Sequence, residues 1–202
     1  MMCVRNAWLA SLLCLVGLVS PVFAQPPKSE KPVPPPVASS GRAPGAHVLI
    51  ETDRGKLTIE LLPDVAPKTV ARFTELVKKG FYSGLTFHRV VAKFLIQGGD
   101  PAGDGTGGSG RTIPAEFNEK KHKAGTVGMA HTKDPDSADS QFYIVLSQKP
   151  LTHLDNNYTI WGRVVKGMEF VDRIKQGSPS QNGKVIDPDR IVKMQVAADA
   201  KD

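Results

Sequence analysis

The stretch Phe87-His88-Arg89-Val90-Val91-Ala92-Lys93-Phe94-Leu95-Ile96-Gln97-Gly98-Gly99-Asp100 sets one guanidinium among apolar residues and ends in a glycine pair. Strand side chains alternate between two faces, so Leu95 and Gln97 share one face while Ile96 takes the other. In residues 141–146, Gln141 and Tyr143 likewise share a face. Where those faces converge, Arg89, two amides and apolar rings would line one groove. A solvent-facing Arg89 is the plainer alternative. Phe87 and Phe142 alternate to the opposite side and are expected in the core.

Outward from this stretch, strand-like runs recur at residues 85–91, 94–97, 126–130, 141–146, 158–165 and 190–197, separated by Gly, Pro, Asp and Asn. Upstream, residues 47–53 and 56–61 alternate in the period-2 manner around Arg54-Gly55, which predicts a hairpin. Residues 68–79 place Val70, Phe73, Leu76 and Val77 on one helical face before Gly80. A second helical stretch, residues 168–175, carries Phe170, Val171 and Ile174 on one side before Gly177. Many short strands with turn-rich joints predict a mainly β domain, barrel or sandwich, with two helices available to cap a barrel's ends. The Gly-rich connection of residues 98–118 is too long to lack a purpose.

At the N-terminus an apolar run from Ala7 to Val19 is followed by Val22-Phe23-Ala24 before Gln25. This predicts a secretory signal peptide, residues 1–24, cleaved after Ala24. Ser20 and Pro21 end the run short of the ~20 residues that span a bilayer, so no stable membrane insertion is expected after cleavage. Residues 25–46, QPPKSEKPVPPPVASSGRAPGA, hold seven prolines and no aromatic residue, the composition of a solvated linker. The folded unit is then residues 47–202, a single domain. The whole chain has 202 residues, 40% hydrophobic and 23% charged, which suits that reading.

Cys3 and Cys14 both fall in the leader, so the mature domain is expected to carry no disulfide, thiolate nucleophile or Cys-ligated zinc. Removing Arg5, Lys28, Lys31 and Arg42 together with Glu30 lowers the formal charge from +6 to +3. With no basic stripe interleaved with aromatics, nucleic acid is not an expected partner. Export places the protein in the periplasm or outside the cell, and nothing in the sequence calls for more than a monomer.

Gly103-Asp104-Gly105-Thr106-Gly107-Gly108 satisfies the dinucleotide pattern, but Pro114 follows where a helix should open, so no helix dipole receives a phosphate. The glycines read instead as a tight loop beside a binding surface. Ser109 fails the nucleophile-elbow pattern at Arg111. His88, His122, His131 and His153 stand singly, without the paired spacing of a metal site, and read as loop or packing residues.

Taken together, Phe81-Tyr82-Ser83-Gly84-Leu85-Thr86-Phe87-His88-Arg89-Val90, Phe94 through Asp100, Asp104-Gly105-Thr106-Gly107-Gly108, Gly128-Met129-Ala130, Ser140-Gln141-Phe142-Tyr143-Ile144, Leu154-Asp155 and Trp161-Gly162-Arg163-Val164 resemble the cyclophilins, a family of peptidyl-prolyl cis-trans isomerases. The match runs nearly continuously from Val48 to Gly177. It implies a closed eight-stranded antiparallel barrel capped by two α-helices, an outer substrate groove, proline-containing polypeptides as substrates, and no cofactor.

Carried across by position, the resemblance puts the catalytic arginine on Arg89 and the proline pocket on Phe94, Leu95, Tyr143 and Leu154. The groove amides fall on Gln97 and Gln141, the backbone-pairing stretch on Ala130 and His131, and the pocket rim on Tyr158. His153 stands where many cyclosporin-binding members have Trp, so weak cyclosporin binding is expected. Tyr143 stands where Phe is commoner, adding a hydroxyl to the pocket. A non-catalytic chaperone or scaffold module would use the same groove, but a mere proline binder has no need of a cation at the amide nitrogen.

Overall fold

The structure, a computed structural model, describes residues 47–199. The expected leader and linker lie outside the described residues. Eight antiparallel strands form one sheet: β1 (His47–Thr52), β2 (Gly55–Leu61), β3 (Arg89–Val91), β4 (Leu95–Gly98), β5 (Thr126–Met129), β6 (Phe142–Val145), β7 (Ile160–Lys166) and β8 (Ile191–Val196). Their order is β3-β4-β6-β5-β7-β2-β1-β8. The first hairpin forms as its alternation predicts, with Thr52 opposite Gly55, and it turns Val48, Ile50, Leu57, Ile59 and Leu61 into the core.

Helix α1 (Pro67–Lys78) buries the predicted face of Val70, Phe73, Leu76 and Val77. Phe73 is the hub of an aromatic cluster, with ring centroids 4.1 Å from Trp161, 4.9 Å from Tyr82 and 5.8 Å from Phe142. Phe87 and Phe142 are fully buried, as their alternation requires. Ala66 at the helix entry has no side-chain acceptor. Glu116 supplies one from the Gly-rich connection: its carboxylate accepts from the Lys68 and Thr69 amides at 3.0 and 2.8 Å and from the Thr69 hydroxyl at 2.7 Å. A cap of this kind is worth about 0.5–2 kcal/mol.

Two expectations need correction. The ladder ends at β3 on one side and β8 on the other, and these strands do not pair, so the expected closed barrel is a curled half-barrel. Residues 85–88, read as strand, spend their backbone groups singly: Ile191 N–H donates to Leu85 O at 2.8 Å, Phe87 N–H to Asp189 O at 3.0 Å, and Thr86 bridges both Asp100 and Arg190. That leaves β3 three residues long, too short for a closing ladder. The segment after it in space, residues 177–184, lies along the other side of β3, with Val90 N–H donating to Gly183 O and Gly177 N–H to Val90 O.

The second helix is also shorter than read. α2 (Met168–Val171) tightens into bonds from Arg173 to Phe170 and from Ile174 to Val171, and the Lys175 amide then leaves the helix for the Asp189 carboxylate at 2.7 Å. Asp189 also takes both Nε and Nη2 of Arg54 at 2.9 Å, tying the first hairpin's turn to the seam. Burial pushes its carboxyl upward, but the Arg54 and Lys175 bonds outweigh this and hold it below the ordinary aspartate range.

A carboxyl lowered on folding stabilises above its unfolded value, near 3.9, and loses that contribution as pH falls through the lowered folded value. Asp189→Asn is expected to reduce stability at neutral pH and to flatten the acid limb of Tm against pH. An unchanged limb in thermal melts between pH 2 and 5 would remove Asp189 from the acid response.

Candidate active site

Register builds the site. Gln97 on β4 lies opposite Arg89 on β3 and Tyr143 on β6, and Tyr143 lies opposite Gly128 on β5. On the side of the sheet away from the main core, Leu95, Tyr143 and Val145 form a second apolar cluster flanked by Phe94, Ala130 and Tyr158. This cluster floors a groove of about 600 Å³. Of the residues singled out from sequence, Arg89, Phe94, Leu95, Gln97, Ala130, His131, Tyr143, Leu154 and Tyr158 line it. Gln141 lies beside it, in an adjoining pocket of about 250 Å³ with Gly105 and Gly107. His153 is not in the lining; its exposed ring stacks on the Phe94 ring, 6.0 Å between centroids and 15° apart.

Arg89 is half-buried and held from two directions. Its Nε donates to Asn182 O at 3.0 Å, Nη2 to Asn182 Oδ1 at 3.0 Å, and Nη1 to Gln97 Oε1 at 3.2 Å. A guanidinium has five N–H donors, so two remain for a ligand in the groove. Burial draws the guanidinium below its ordinary range, with Tyr158 opposing the shift, yet arginine stays charged throughout the physiological range.

The anchoring continues beyond Gln97. Its Nε2 donates to Gln141 Oε1 at 2.9 Å, and Gln141 Nε2 donates to Gly105 O and Gly107 O at 3.0 and 2.8 Å. The glycine run presents those carbonyls because buried Asp100 folds it, accepting from the amides of Ala102, Asp104 and Gly105. A side chain at Gly107 would collide with the Asp100 carboxylate. The inward amides of Ala102, Asp104 and Gly105 are thus committed to Asp100 and do not face a phosphate.

His131 is engaged through both ring nitrogens, with Thr132 O at 2.6 Å and Asn157 O at 2.8 Å, and stacks on Tyr158 at 4.4 Å. The Tyr143 hydroxyl, expected to add polarity to the proline pocket, instead meets His122 Nε2 at 2.8 Å. His122 is fully buried and bonds Asp155 through Nδ1 at 2.9 Å, so it is more than a packing residue. His88 is buried beside Arg89 with its pKa lowered, by burial first and against Asp100.

Sequence reading missed Asn182, His122 and Asp155 as parts of the site. Asn182 stands 93 residues from Arg89, in the left-handed region at φ 53°. An Asn-Gly pair after a Gly-Ser-Pro turn was the available signal, since asparagine tolerates that conformation better than most residues.

The family model described as cyclophilin type peptidyl-prolyl cis-trans isomerase/CLD matches residues 47–196. A probable peptidyl-prolyl cis-trans isomerase of Brucella suis is 42% identical over 175 residues, covering 81% of this chain and 88% of its own. Peptidyl-prolyl cis-trans isomerase B of Bacillus subtilis is 44% identical over 141 residues, covering 69% and 96%. Among solved structures, a Cryptosporidium parvum cyclophilin determined in the presence of the dipeptide Ala-Pro superposes with TM-score 0.67 at 33% identity, covering 74% of this chain and 98% of that one. The chain belongs to the cyclophilin family, and its activity is peptidyl-prolyl cis-trans isomerisation.

Proposed function

We propose that the groove turns over X-Pro bonds in exported, folding polypeptides, with Arg89 as the catalytic residue. The observation that carries this is a guanidinium fixed by Asn182 and Gln97 beside the apolar floor of Leu95 and Tyr143, with donors left over. Rotation about the amide breaks no covalent bond but crosses a barrier of roughly 18–20 kcal/mol set by delocalisation of the nitrogen lone pair. In the twisted state that lone pair localises on a pyramidal nitrogen and accepts a hydrogen bond. A fixed donor there binds the transition state better than either planar isomer. No proton moves, so no general base is required.

Magnitudes divide the task. A ~10⁴-fold acceleration needs about 5–6 kcal/mol, and one preorganised donor supplies roughly 2.7–4 kcal/mol. Orientation supplies the rest: Phe94, Leu95, Tyr143 and Leu154 seat the pyrrolidine ring, while Gln97, Gln141 and the backbone at Ala130 and His131 hold the flanking chain. The Ala-Pro dipeptide present with the Cryptosporidium relative supports a prolyl ligand. Weak cyclosporin binding follows from His153, whose ring is committed to stacking on Phe94.

The sequence of residues 1–46 supports delivery through a secretory leader and a proline-rich linker, to the periplasm or beyond. NMR exchange on an Ala-Pro peptide with the domain of residues 47–202 should show interconversion far faster than the uncatalysed tens to hundreds of seconds. Binding without acceleration would overturn the assignment of this groove. Intact mass of the exported protein should begin at Gln25; retention of residues 1–24 would overturn the export reading.

A further inference from the structure

Behind the groove a hydrogen-bonded chain of three side chains runs from Tyr143 to two residues that no step above uses, His122 and Asp155. The Asp155 carboxylate accepts from the His122 backbone amide at 3.0 Å and from ring Nδ1 at 2.9 Å, and His122 Nε2 meets the Tyr143 hydroxyl at 2.8 Å. A carboxylate only accepts, so Nδ1 carries the imidazole proton, Nε2 offers a lone pair, and the Tyr143 hydroxyl donates. The His122 ring is fully buried and Tyr143 nearly so, which makes a broken link costly. The electrostatics agree. Burial holds His122 below its ordinary range against the opposing pull of Asp155, and raises Tyr143. For Asp155, burial raises the carboxyl, but the His122 bonds and Lys121, 3.5 Å away, bring it below the ordinary range.

The two ends of this chain are attached to two walls of the proline pocket. Tyr143 is one wall, and Asp155 directly follows Leu154, the other. Opposite Tyr143, a side chain at Gly128 would run into the hydroxyl, so the backbone of β5 leaves the space in which the ring sits. A phenylalanine ring in this place would have no directional contact to stop it from rocking. The tyrosine ring has one, aimed away from the ligand.

We propose that His122 and Asp155 are positioning residues for isomerisation: together they lock the Tyr143 ring and the Leu154 turn at the spacing that grips the prolyl ring, without touching substrate. The inference rests on the groove being the prolyl site. Substrate grip then depends on a hydrogen bond on the far side of the pocket wall.

The test compares kcat and KM for an Ala-Pro peptide across His122→Leu, His122→Gln and Asp155→Asn in the domain of residues 47–202, with far-UV circular dichroism and thermal melts as fold controls. His122→Leu should raise KM about 10-fold with kcat changed less than about 2-fold, the size of one lost preorganising bond. Glutamine donates through its amide and accepts through its carbonyl, so His122→Gln should recover most of the loss; Asp155→Asn should fall between.

The decisive arm is a cycle. In a Tyr143→Phe background, where the hydroxyl is gone, His122→Leu should add less than 2-fold to KM. An undiminished 10-fold there, or a loss wholly in kcat that tracks the melting temperature, would make His122 a general structural residue and overturn the proposal. If His122→Leu does not fold, His122→Gln and Asp155→Asn decide it, since kinetics equal to the parent in both would also overturn it. A parent domain that binds the peptide without turning it over would instead sink the underlying assignment of the groove.

Discussion

Arg89→Ala is expected to lower kcat/KM for prolyl isomerisation by about 10²–10³-fold, the cost of removing one preorganised transition-state donor. The loss should fall mainly on kcat, because the apolar pocket that seats the ring is untouched. Arg89→Lys should recover little. The guanidinium is aimed by three bonds, two to Asn182 and one to Gln97, and a lysine ammonium has no planar fork with which to keep them while still reaching a ligand. Stability should barely change, since Arg89 lies in the groove and not in the main core. Exchange spectroscopy on an Ala-Pro peptide at matched protein concentration reads the effect. A variant within 3-fold of the parent would transfer the catalytic role elsewhere.

The converse experiment is Phe73→Ala, which should remove stability and leave chemistry intact. Phe73 is 1% exposed and touches Trp161, Tyr82 and Phe142 at once, so truncation empties the centre of the aromatic cluster. Large-to-small changes of this kind cost about 3–5 kcal/mol, a large share of the roughly 5–15 kcal/mol that holds a domain together. For a domain of this size Tm should fall on the order of 6–20 °C. Well below the new transition, kcat/KM per folded molecule should match the parent, because the groove is built on the opposite side of the sheet. Denaturant unfolding with an activity assay at low temperature separates the two quantities. A loss of less than about 1 kcal/mol would show that the cluster collapses around the gap.

Local patterns foretold what local physics controls. The period-2 alternation of residues 47–61 gave the hairpin and its inward face, and the helical spacing of Val70, Phe73, Leu76 and Val77 gave the buried side of α1. The shared faces of Leu95 with Gln97 and of Gln141 with Tyr143 foretold that these residues would meet, and the register opposes Gln97 to Tyr143. Contacts made across long separations left no local trace. Glu116 caps a helix 47 residues upstream, Asn182 holds an arginine 93 residues away, and Asp155 reaches back 33 residues to His122. A single histidine without a paired neighbour looks the same in sequence whether it is packing or relaying. The length of α2 was illegible for a similar reason: Asp189, from the far side of the seam, takes the amide that would have continued it.

The unclosed seam has a further consequence, for aggregation. A sheet that stops short of closure has two outermost strands, and a free row of backbone groups on either would template the addition of any extended segment, ending in co-aggregation. Here each end is engaged at one residue, Val90 of β3 and Ile191 of β8. Residues 177–184 occupy the outer side of β3 through Val90, and residues 84–85 occupy β8 at Ile191 through bonds of 2.7 and 2.8 Å. Sequence-blind strand pairing is therefore refused at these points.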